Sequence, residues 1–242
     1  MRKKVKKYVN LAAYIALYIA IIVFSVVFKT PYIKIIASLL SITCTILLAN
    51  GKLINFAFGV AYALLYGTIC LTEKLYASML LSYLVTFTAQ ILGFINWRKN
   101  MQKGTPRIRM LKNWQRVTML IGIVIVVAVS TFVLKLLNSN NALFDSLTTV
   151  LFIVSMSLMV FAFIEEWIVN AFANIANIIL WATMPGDGAL ENFPFLIMAL
   201  IGVVMCVVGF INWIKIYKVQ KEEKSVMQEE ENSAADGVKQ FK

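Results

Sequence analysis

Amide and indole side chains recur at helical spacing within an apolar run near residue 170. The spacing is three or four residues throughout, and the five positions are Trp167, Asn170, Asn174, Asn177 and Trp181. On an α-helix such intervals place all five side chains on one stripe. Because an unpaired amide is costly to bury in lipid, the stripe is predicted to face neighbouring helices or an aqueous cavity.

Two interpretations of this stripe are open. Asparagines can join helices through hydrogen bonds worth about 0.6–2 kcal/mol each. Alternatively, the indoles could stack on a flat ring while the amides hydrogen-bond with the polar substituents of that ring. Three amides in line, with an indole at each end, favour a binding site for such a ring.

Two earlier apolar runs offer polar groups for an opposing wall. Asn55, Gly59, Tyr62 and Tyr66 form a second, less polar stripe at spacings of four, three and four. Gln90 adds an amide near the middle of the next run. We therefore predict a substrate-binding site made of Trp167, Asn170, Asn174, Asn177, Trp181, Gln90, Tyr83, Asn55 and Tyr62.

The groups that catalysis or proton coupling would need are missing from the middle of the apolar runs. The sequence has no His, and Asp145, Glu165 and Glu166 fall at the ends of runs. The three cysteines lie within runs without metal-ligand spacing, and no Walker motif is present. We therefore predict no catalytic residues, no metal, no cofactor and no enzyme activity. A lipid-modifying enzyme and a non-transporting scaffold are the alternatives from other classes.

The elements that position these residues are predicted to cross a lipid bilayer. Of the 242 residues, 60% are hydrophobic and 14% are charged, whereas soluble domains average roughly 45–50% and about 25%. A span needs about 20 apolar residues. Eight runs qualify, at 8–28, 32–49, 54–71, 77–97, 117–137, 146–164, 167–184 and 193–214. The predicted fold class is an all-α integral membrane protein of about eight transmembrane helices.

The net charge of +11 follows from membrane orientation. If both termini are cytoplasmic, 19 of the 23 Lys and Arg lie on the inner side and four on the outer side. The positive-inside rule thus predicts a multi-pass protein of the cell inner membrane with both termini in the cytoplasm. Because orientation accounts for the charge, no nucleic-acid partner is expected.

An internal repeat organises the chain. Gly-Phe-Ile-Asn-Trp at 93–97 recurs at 209–213, an offset of 116 that carries runs two to four onto runs six to eight. A unit of three spans keeps its orientation in the second copy only if one extra helix separates the copies, so a parallel three-plus-one-plus-three repeat is predicted. We interpret Trp97 and Trp213 as residues of the interfacial aromatic belt.

Five segments follow from this organisation. Residues 1–31 hold a basic start and the first helix, 32–97 the first three-helix unit, and 98–145 a basic cytoplasmic loop and a linker helix. Residues 146–214 hold the second unit, and 215–242 form a charged cytoplasmic tail.

Three stretches resemble the nicotinamide riboside transporter (PnuC) family. They are Asn55-Phe56-Ala57-Phe58-Gly59 continuing to Tyr66, Gln90-x-x-Gly93 leading to Asn96-Trp97-Arg98, and Glu166-Trp167-x-x-Asn170 through Asn177 to Trp181. The resemblance spans residues 32–217 and implies a bundle similar to a full-length SWEET transporter. It also implies facilitated diffusion, with a cytoplasmic kinase that traps the substrate.

One position departs from the family pattern. The nicotinamide riboside carriers of that family typically show Trp-x-x-Trp where this chain has Trp167 and Asn170. With one indole fewer in the site, stacking on the ring of the substrate would be weaker. The expected substrate is nicotinamide riboside or a closely related ring-bearing vitamin or nucleoside, with thiamine, riboflavin and deoxynucleosides as alternatives. The lipid bilayer is the other expected partner, and homo-oligomerisation is left open.

Overall fold

The computed structural model describes residues 14–23, 26–27, 31–72, 79–136, 141–183 and 189–239. Within these ranges, the side chains of Trp181, 189–195 and 229–239 are outside the description. The ends of the predicted spans at 8–28 and 167–184 therefore lie outside the described residues.

The described residues form eight α-helices and one small hairpin. The helices are α1 (Tyr14–Val23), α2 (Tyr32–Ala49), α3 (Asn55–Thr72), α4 (Phe87–Lys99), α5 (Asn113–Leu136), α6 (Ala142–Val160), α7 (Glu165–Ala182) and α8 (Ala189–Lys239). A π-helix, Leu81–Thr86, leads into α4, and strands β1 (Met101–Gln102) and β2 (Thr105–Pro106) follow it. The predicted helical fold with about eight helices is confirmed.

Five of these helices are long and apolar enough to cross a membrane by length and composition. They are α2, α3, α5, α6 and the stretch Leu196–Gln228 of α8. Helix α7 is not among the five because its 18 residues include two glutamates and three asparagines. The helix that carries the predicted amide stripe is thus less apolar than these five.

The six helices other than α1 and α5 form two groups. In the first group α3 packs against both α2 and α4, and in the second group α7 packs against both α6 and α8. Between the groups, α2 packs against α8, and α4 packs against α6. These two contacts are equivalent if the groups are related by a two-fold axis.

Helices α2 and α6 end in the same way. Each ends in a Schellman motif, with a left-handed residue at Gly51 (φ 63°) or Ala162 (φ 56°). The Gly51 N–H donates to the Leu48 carbonyl at 2.9 Å, and the Ala162 N–H donates to the Met159 carbonyl at 3.0 Å. The left-handed conformation costs a non-glycine residue about 1–2 kcal/mol, so Ala162 is the more strained of the two.

Two indoles connect these helix ends across the groups. The Trp97 Nε1–H donates to the Met159 carbonyl at 3.0 Å, and the Trp213 Nε1–H donates to the Leu48 carbonyl at 3.0 Å. We call this reciprocal pair of hydrogen bonds the indole interlock. Both indoles are fully buried, at 0% exposure. The interpretation of Trp97 and Trp213 as interfacial belt residues is therefore wrong, because each indole N–H finds its acceptor within the protein rather than at the lipid head groups.

The interlock is the centre of the largest apolar core. The rings of Trp97 and Trp213 lie 5.6 Å apart, Phe56 meets Trp97 edge-on at 4.9 Å, and Trp167 meets Trp213 edge-on at 5.5 Å. Such edge-to-face pairs contribute about 0.5–1.5 kcal/mol beyond the area they bury. The core thus joins one aromatic residue from each of α3, α4, α7 and α8.

The two remaining helices lie at the periphery. Helix α1 packs on α2, where the Tyr18 hydroxyl bonds with the Thr43 hydroxyl at 2.6 Å and the Asn50 amide donates to the Tyr14 hydroxyl at 3.3 Å. Helix α5 contacts α6 and buries little more than Ile123 and Val127. Most of the α5 surface is apolar and exposed, as expected of a helix that faces lipid.

Candidate functional site

One edge of α7 packs tightly against α8. Trp167 is 1% exposed, and a methyl group on Gly209 would overlap its indole ring. Asn174 is buried, and a methyl group on Gly202 would overlap its amide. Two of the five predicted stripe residues therefore lie in the seam between α7 and α8, where glycines on α8 provide the room for them.

The amides of the stripe form a ladder along α7. The Asn174 amide donates to the Asn170 backbone carbonyl at 2.8 Å and to the Asn170 side-chain oxygen at 3.1 Å. The Asn170 amide in turn donates to Glu166 at 3.5 Å. Glu166, Asn170 and Asn174 thus form one connected polar ladder, from the start of the helix toward its middle.

Asn177 lies one turn beyond the ladder. It is half-buried, and within the described part of the chain no hydrogen bond reaches its amide. Asn170 is half-buried as well. Among the four stripe residues whose side chains are described, these two can reach a ligand without displacing α8.

Two polar atoms at the base of the ladder are buried without a partner in the described structure. They are the indole Nε1 of Trp167 and the second carboxyl oxygen of Glu166. A buried donor or acceptor without a partner costs about 1–3 kcal/mol. Such atoms mark a place where a ligand or an ordered water would complete the hydrogen bonding.

Glu166 was missed as a candidate because it falls at the end of an apolar run. Its neighbour Glu165 accepts hydrogen bonds from the Arg116 side chain at 2.7 Å and from the Leu111 N–H at 3.1 Å, so its charge is paired. Glu166 is 2% exposed, and its carboxylate faces the Asn170 amide and the Ser155 hydroxyl rather than a cation. The spacing of four residues between Glu166 and Asn170 was the available sequence signal.

The first group places its candidate residues on α3 and α4. Asn55 is fully buried and donates to the Lys52 carbonyl at 2.6 Å, while its side-chain oxygen has no partner in the described structure. Tyr62 is half-buried and stacks on Tyr66, with ring centres 5.5 Å apart. Asn55 and Tyr62 thus lie along one side of α3, as their spacing predicted.

Gln90 lies in the seam between α3 and α4. Its amide fills the space above Gly59, and its oxygen is buried without a partner in the described structure. It borders a cavity of about 700 Å³ whose other lining residues include Phe56, Val60 and Phe94. Gln90 is therefore held within its own helix group.

Tyr83 lies in the same seam, two turns further from the indole interlock. Its ring packs on Gly67, and its hydroxyl bonds with the exposed Thr68 hydroxyl at 3.0 Å. Trp181 belongs to α7, but its side chain lies outside the described residues. The structure thus brings Trp167, Asn170 and Asn174 together, with Asn177 beyond them, and no hydrogen bond among the described residues joins this set to Asn55, Tyr62 or Gln90.

Comparison with known proteins establishes the family. Residues 31–215 match the family described as nicotinamide mononucleotide transporter. This chain belongs to that family. It is 32% identical over 189 residues to the nicotinamide riboside transporter PnuC of Neisseria mucosa, which covers 76% of this chain and 72% of that protein. It is 24% identical over 196 residues to the nicotinamide riboside transporter PnuC of Haemophilus influenzae, with 78% and 83% covered.

A solved structure shares the fold. The crystal structure of the vitamin B3 transporter PnuC matches with a TM-score of 0.70 and 28% sequence identity, covering 85% of this chain and 90% of that chain. The predicted resemblance to the PnuC family is confirmed, and the chain is a membrane transporter. The family match starts just before α2 and ends just after Trp213, so it contains both helix groups, the indole interlock and the amide ladder.

Proposed function

We propose that this protein transports nicotinamide riboside, or a closely related ring-bearing vitamin or nucleoside, across the membrane. The observation that carries this proposal is the α7 ladder of Glu166, Asn170 and Asn174, with unpaired buried atoms at its base. Both PnuC relatives are described as nicotinamide riboside transporters. Nicotinamide riboside offers a ring carboxamide and ribose hydroxyl groups, which such a ladder can bind.

The roles of the residues follow from their burial. Asn170 and Asn177 are half-buried and bind the polar substituents of the ligand. Glu166 accepts a hydrogen bond from a ligand hydroxyl or amide, and the Trp167 N–H donates one. Because α8 covers the Trp167 ring in this conformation, stacking on that ring requires a movement of α7 relative to α8. We assign Trp181 to the same site from its position in the stripe, and we assign Asn55, Tyr62, Tyr83 and Gln90 to the opposing wall.

We further propose alternating access by rocking of the two helix groups, arranged as a parallel three-plus-one-plus-three repeat. The reciprocal indole bonds and the equivalent contacts of α2 with α8 and of α4 with α6 support this arrangement. The interlock would serve as the pivot. Both termini face the cytoplasm of the cell inner membrane, a cytoplasmic kinase traps the substrate, and a homo-oligomer is compatible with the exposed apolar surface of α5.

Calorimetric titration of the purified protein with nicotinamide riboside, thiamine, riboflavin and a deoxynucleoside tests the substrate class. We expect saturable binding of nicotinamide riboside and weaker binding of the other three. Tighter binding of one of these three would reassign the substrate within the family. A non-transporting scaffold would bind none of the four, and a bound ligand would also raise the melting temperature in proportion to ln(1 + [L]/Kd).

Transport is proposed to be uncoupled, since no acid lies near the middle of a described span. In proteoliposomes, uptake should equilibrate and should not respond to an imposed pH or sodium gradient. Accumulation above the external concentration, driven by either gradient, would overturn uncoupled transport and leave the substrate assignment intact.

A further inference from the structure

A second cavity lies outside the helix bundle, between the hairpin loop and the extension of α8. Its volume is about 930 Å³. Residues of the loop, from Gln102 to Arg109, line one side, and residues of α8, from Tyr217 to Gln228, line the other. We call this space the basic cleft. None of the residues proposed to bind the transported substrate lines it.

Positive charge dominates the lining of the basic cleft. Five of its side chains are cationic and one is acidic; the cations are Lys103, Arg107, Arg109, Lys221 and Lys224. The acid, Glu223, is already paired with Lys103 at 2.8 Å. Among the described residues, no hydrogen bond or ion pair occupies the side chains of Arg107, Lys221 or Lys224.

The backbone that carries these cations is held in place by hydrogen bonds. The Gln220 side chain accepts the Ile108 N–H at 3.0 Å and donates to the Pro106 carbonyl at 2.9 Å, which fixes the loop to α8. The Arg109 N–H donates to the Ala162 carbonyl at 2.9 Å, and the Ile164 N–H donates to the Arg109 carbonyl at 3.0 Å. In this conformation the two walls are therefore held to each other by hydrogen bonds, so that the cleft is preorganised.

Membrane orientation alone does not account for this arrangement. The positive-inside rule predicts how many Lys and Arg border the spans, but it does not require them to converge on one concave surface. Lys99 and Lys112 belong to the same basic segment and are exposed outside the cleft. Lys103 and Glu223 meet at the cleft although they are 120 residues apart in sequence, so this convergence is a property of the fold.

We infer that the basic cleft binds a phosphate-bearing ligand. Arginine presents a planar fork of donors that suits phosphate, and the lysines add charge around it. Ile108, Tyr217 and Met227 supply an apolar part of the lining, against which a ring or an acyl chain can rest. The volume falls in the range of about 300–1,000 Å³ that is typical of small-molecule sites.

The ligand would connect the two helix groups. The loop continues from α4 of the first group, and the other wall belongs to α8 of the second group. A phosphate that contacts both walls would therefore hold the groups in one relative position, and its binding would slow their rocking.

Titration of the full-length protein in neutral detergent with pyrophosphate tests this site at low salt. We expect saturable binding that weakens at least about tenfold in the double variant Arg107→Gln, Lys221→Gln. The matched control, Lys99→Gln with Lys112→Gln, removes the same charge outside the cleft and should bind as the original protein does. Melting temperatures establish that both variants are folded. Absence of saturable binding, or equal loss in the two variants, would overturn the inference.

A second pair of measurements identifies the source of the phosphate. The pyrophosphate titration is repeated in nanodiscs of phosphatidylcholine and of phosphatidylglycerol. Loss of binding only in phosphatidylglycerol identifies a lipid head group as the natural occupant, whereas unchanged binding identifies a soluble phosphate ester. Uptake of nicotinamide riboside is measured without phosphate for the cleft double variant. Unchanged uptake shows that the substrate site is intact, so failure of the cleft inference leaves the proposed transport function standing.

Discussion

The two helix groups share an apolar frame of aromatic rings packed on glycines, and they differ in the polar side chains that line them. Phe56 of α3 packs on Gly93 of α4, and Trp167 of α7 packs on Gly209 of α8 in the same way. The apolar frame therefore repeats. The amides do not repeat, because the positions 111 residues before Asn170 and Asn174 hold Gly59 and Ala63. It follows that the frame holds the groups together, while the polar lining is specific to one group.

In each group an amide side chain on one helix packs against a glycine on the neighbouring helix. The helix that carries the amide differs between the groups. In the first group, Gln90 on α4 fills the space above Gly59 on α3. In the second group, Asn174 on α7 fills the space above Gly202 on α8. A single asymmetric ligand between two such walls would meet a polar α7 on one side and a mostly apolar, aromatic α3 on the other.

Substitution of the two interlock tryptophans should destabilise the protein most. It tests whether the two groups contribute equally to the apolar packing. Trp97→Ala and Trp213→Ala should each destabilise the protein by about 3–5 kcal/mol, because each removes a fully buried indole and one bond of the interlock. Melting temperatures of the purified variants measure this. Trp114→Ala is the control, since Trp114 is 64% exposed. A large loss at only one of the two buried positions would contradict an equivalent role.

Overpacking of the seams should have the next largest effect. Gly209→Ala places a methyl group against Trp167 and should destabilise the protein by about 1–3 kcal/mol. Gly93→Ala should do the same against Phe56. Gly122→Ala on α5 meets nothing within 4 Å, so it should be neutral or slightly stabilising. Equal melting temperatures for all three variants would contradict the tight seams.

Substitution of the amides separates binding from packing. Asn177→Leu should leave the melting temperature nearly unchanged and should weaken ligand binding about five- to 150-fold, because a ligand polar group loses its partner. Asn174→Leu should weaken binding too, and it should also lower stability, since Asn174 is packed against Gly202. Trp167→Ala should reduce affinity as well.

Calorimetric titration with the best ligand checks these three variants. The interlock variant Trp97→Ala is tested for affinity as well when it folds. Unchanged affinity in both Asn177→Leu and Trp167→Ala would remove the stripe from the site. The interhelical packing interpretation would then be the correct one.

Substitutions at the ends of α2 and α6 should change the stability least. Ala162→Gly should stabilise the protein by up to about 1–2 kcal/mol, because glycine adopts the left-handed conformation without steric cost. Gly51→Ala should destabilise it by a similar amount at the equivalent position. Chemical denaturation in mild detergent measures both. Changes of the same sign in the two variants would contradict the equivalence of the two Schellman motifs.

Hydropathy and spacing predicted the helices and the α7 stripe because both depend on local sequence. The burial of Trp97 and Trp213 could not be predicted, since Gly-Phe-Ile-Asn-Trp suits either an interface or a core. The single offset of 116 was wrong for the first two helices of each group. There the equivalent contacts lie 111 positions apart, as from Leu48 to Met159, because the connection between the second and third helices differs in length.

The candidate site was predictable in part. The intervals of three and four residues identified Asn170, Asn174 and Asn177, but they could not show that Asn174 packs against α8 while Asn177 does not. That distinction depends on Gly202, which is distant in sequence. The role of Glu166 was hidden for a similar reason, since only the fold shows that Arg116 reaches Glu165 and leaves Glu166 bonded to Asn170.

The indole interlock has a consequence for how the sequence can drift. Its acceptors are main-chain carbonyls, and each of these also receives the N–H of its own helix end. Every amino acid supplies such a carbonyl, so positions 48 and 159 can exchange one apolar residue for another without loss of the bond. The donors have no substitute, because tryptophan alone combines a ring of that size with an N–H at its edge. Alignments of relatives should therefore show invariant tryptophans facing partners that vary freely, and analysis of covariation would not detect the contact.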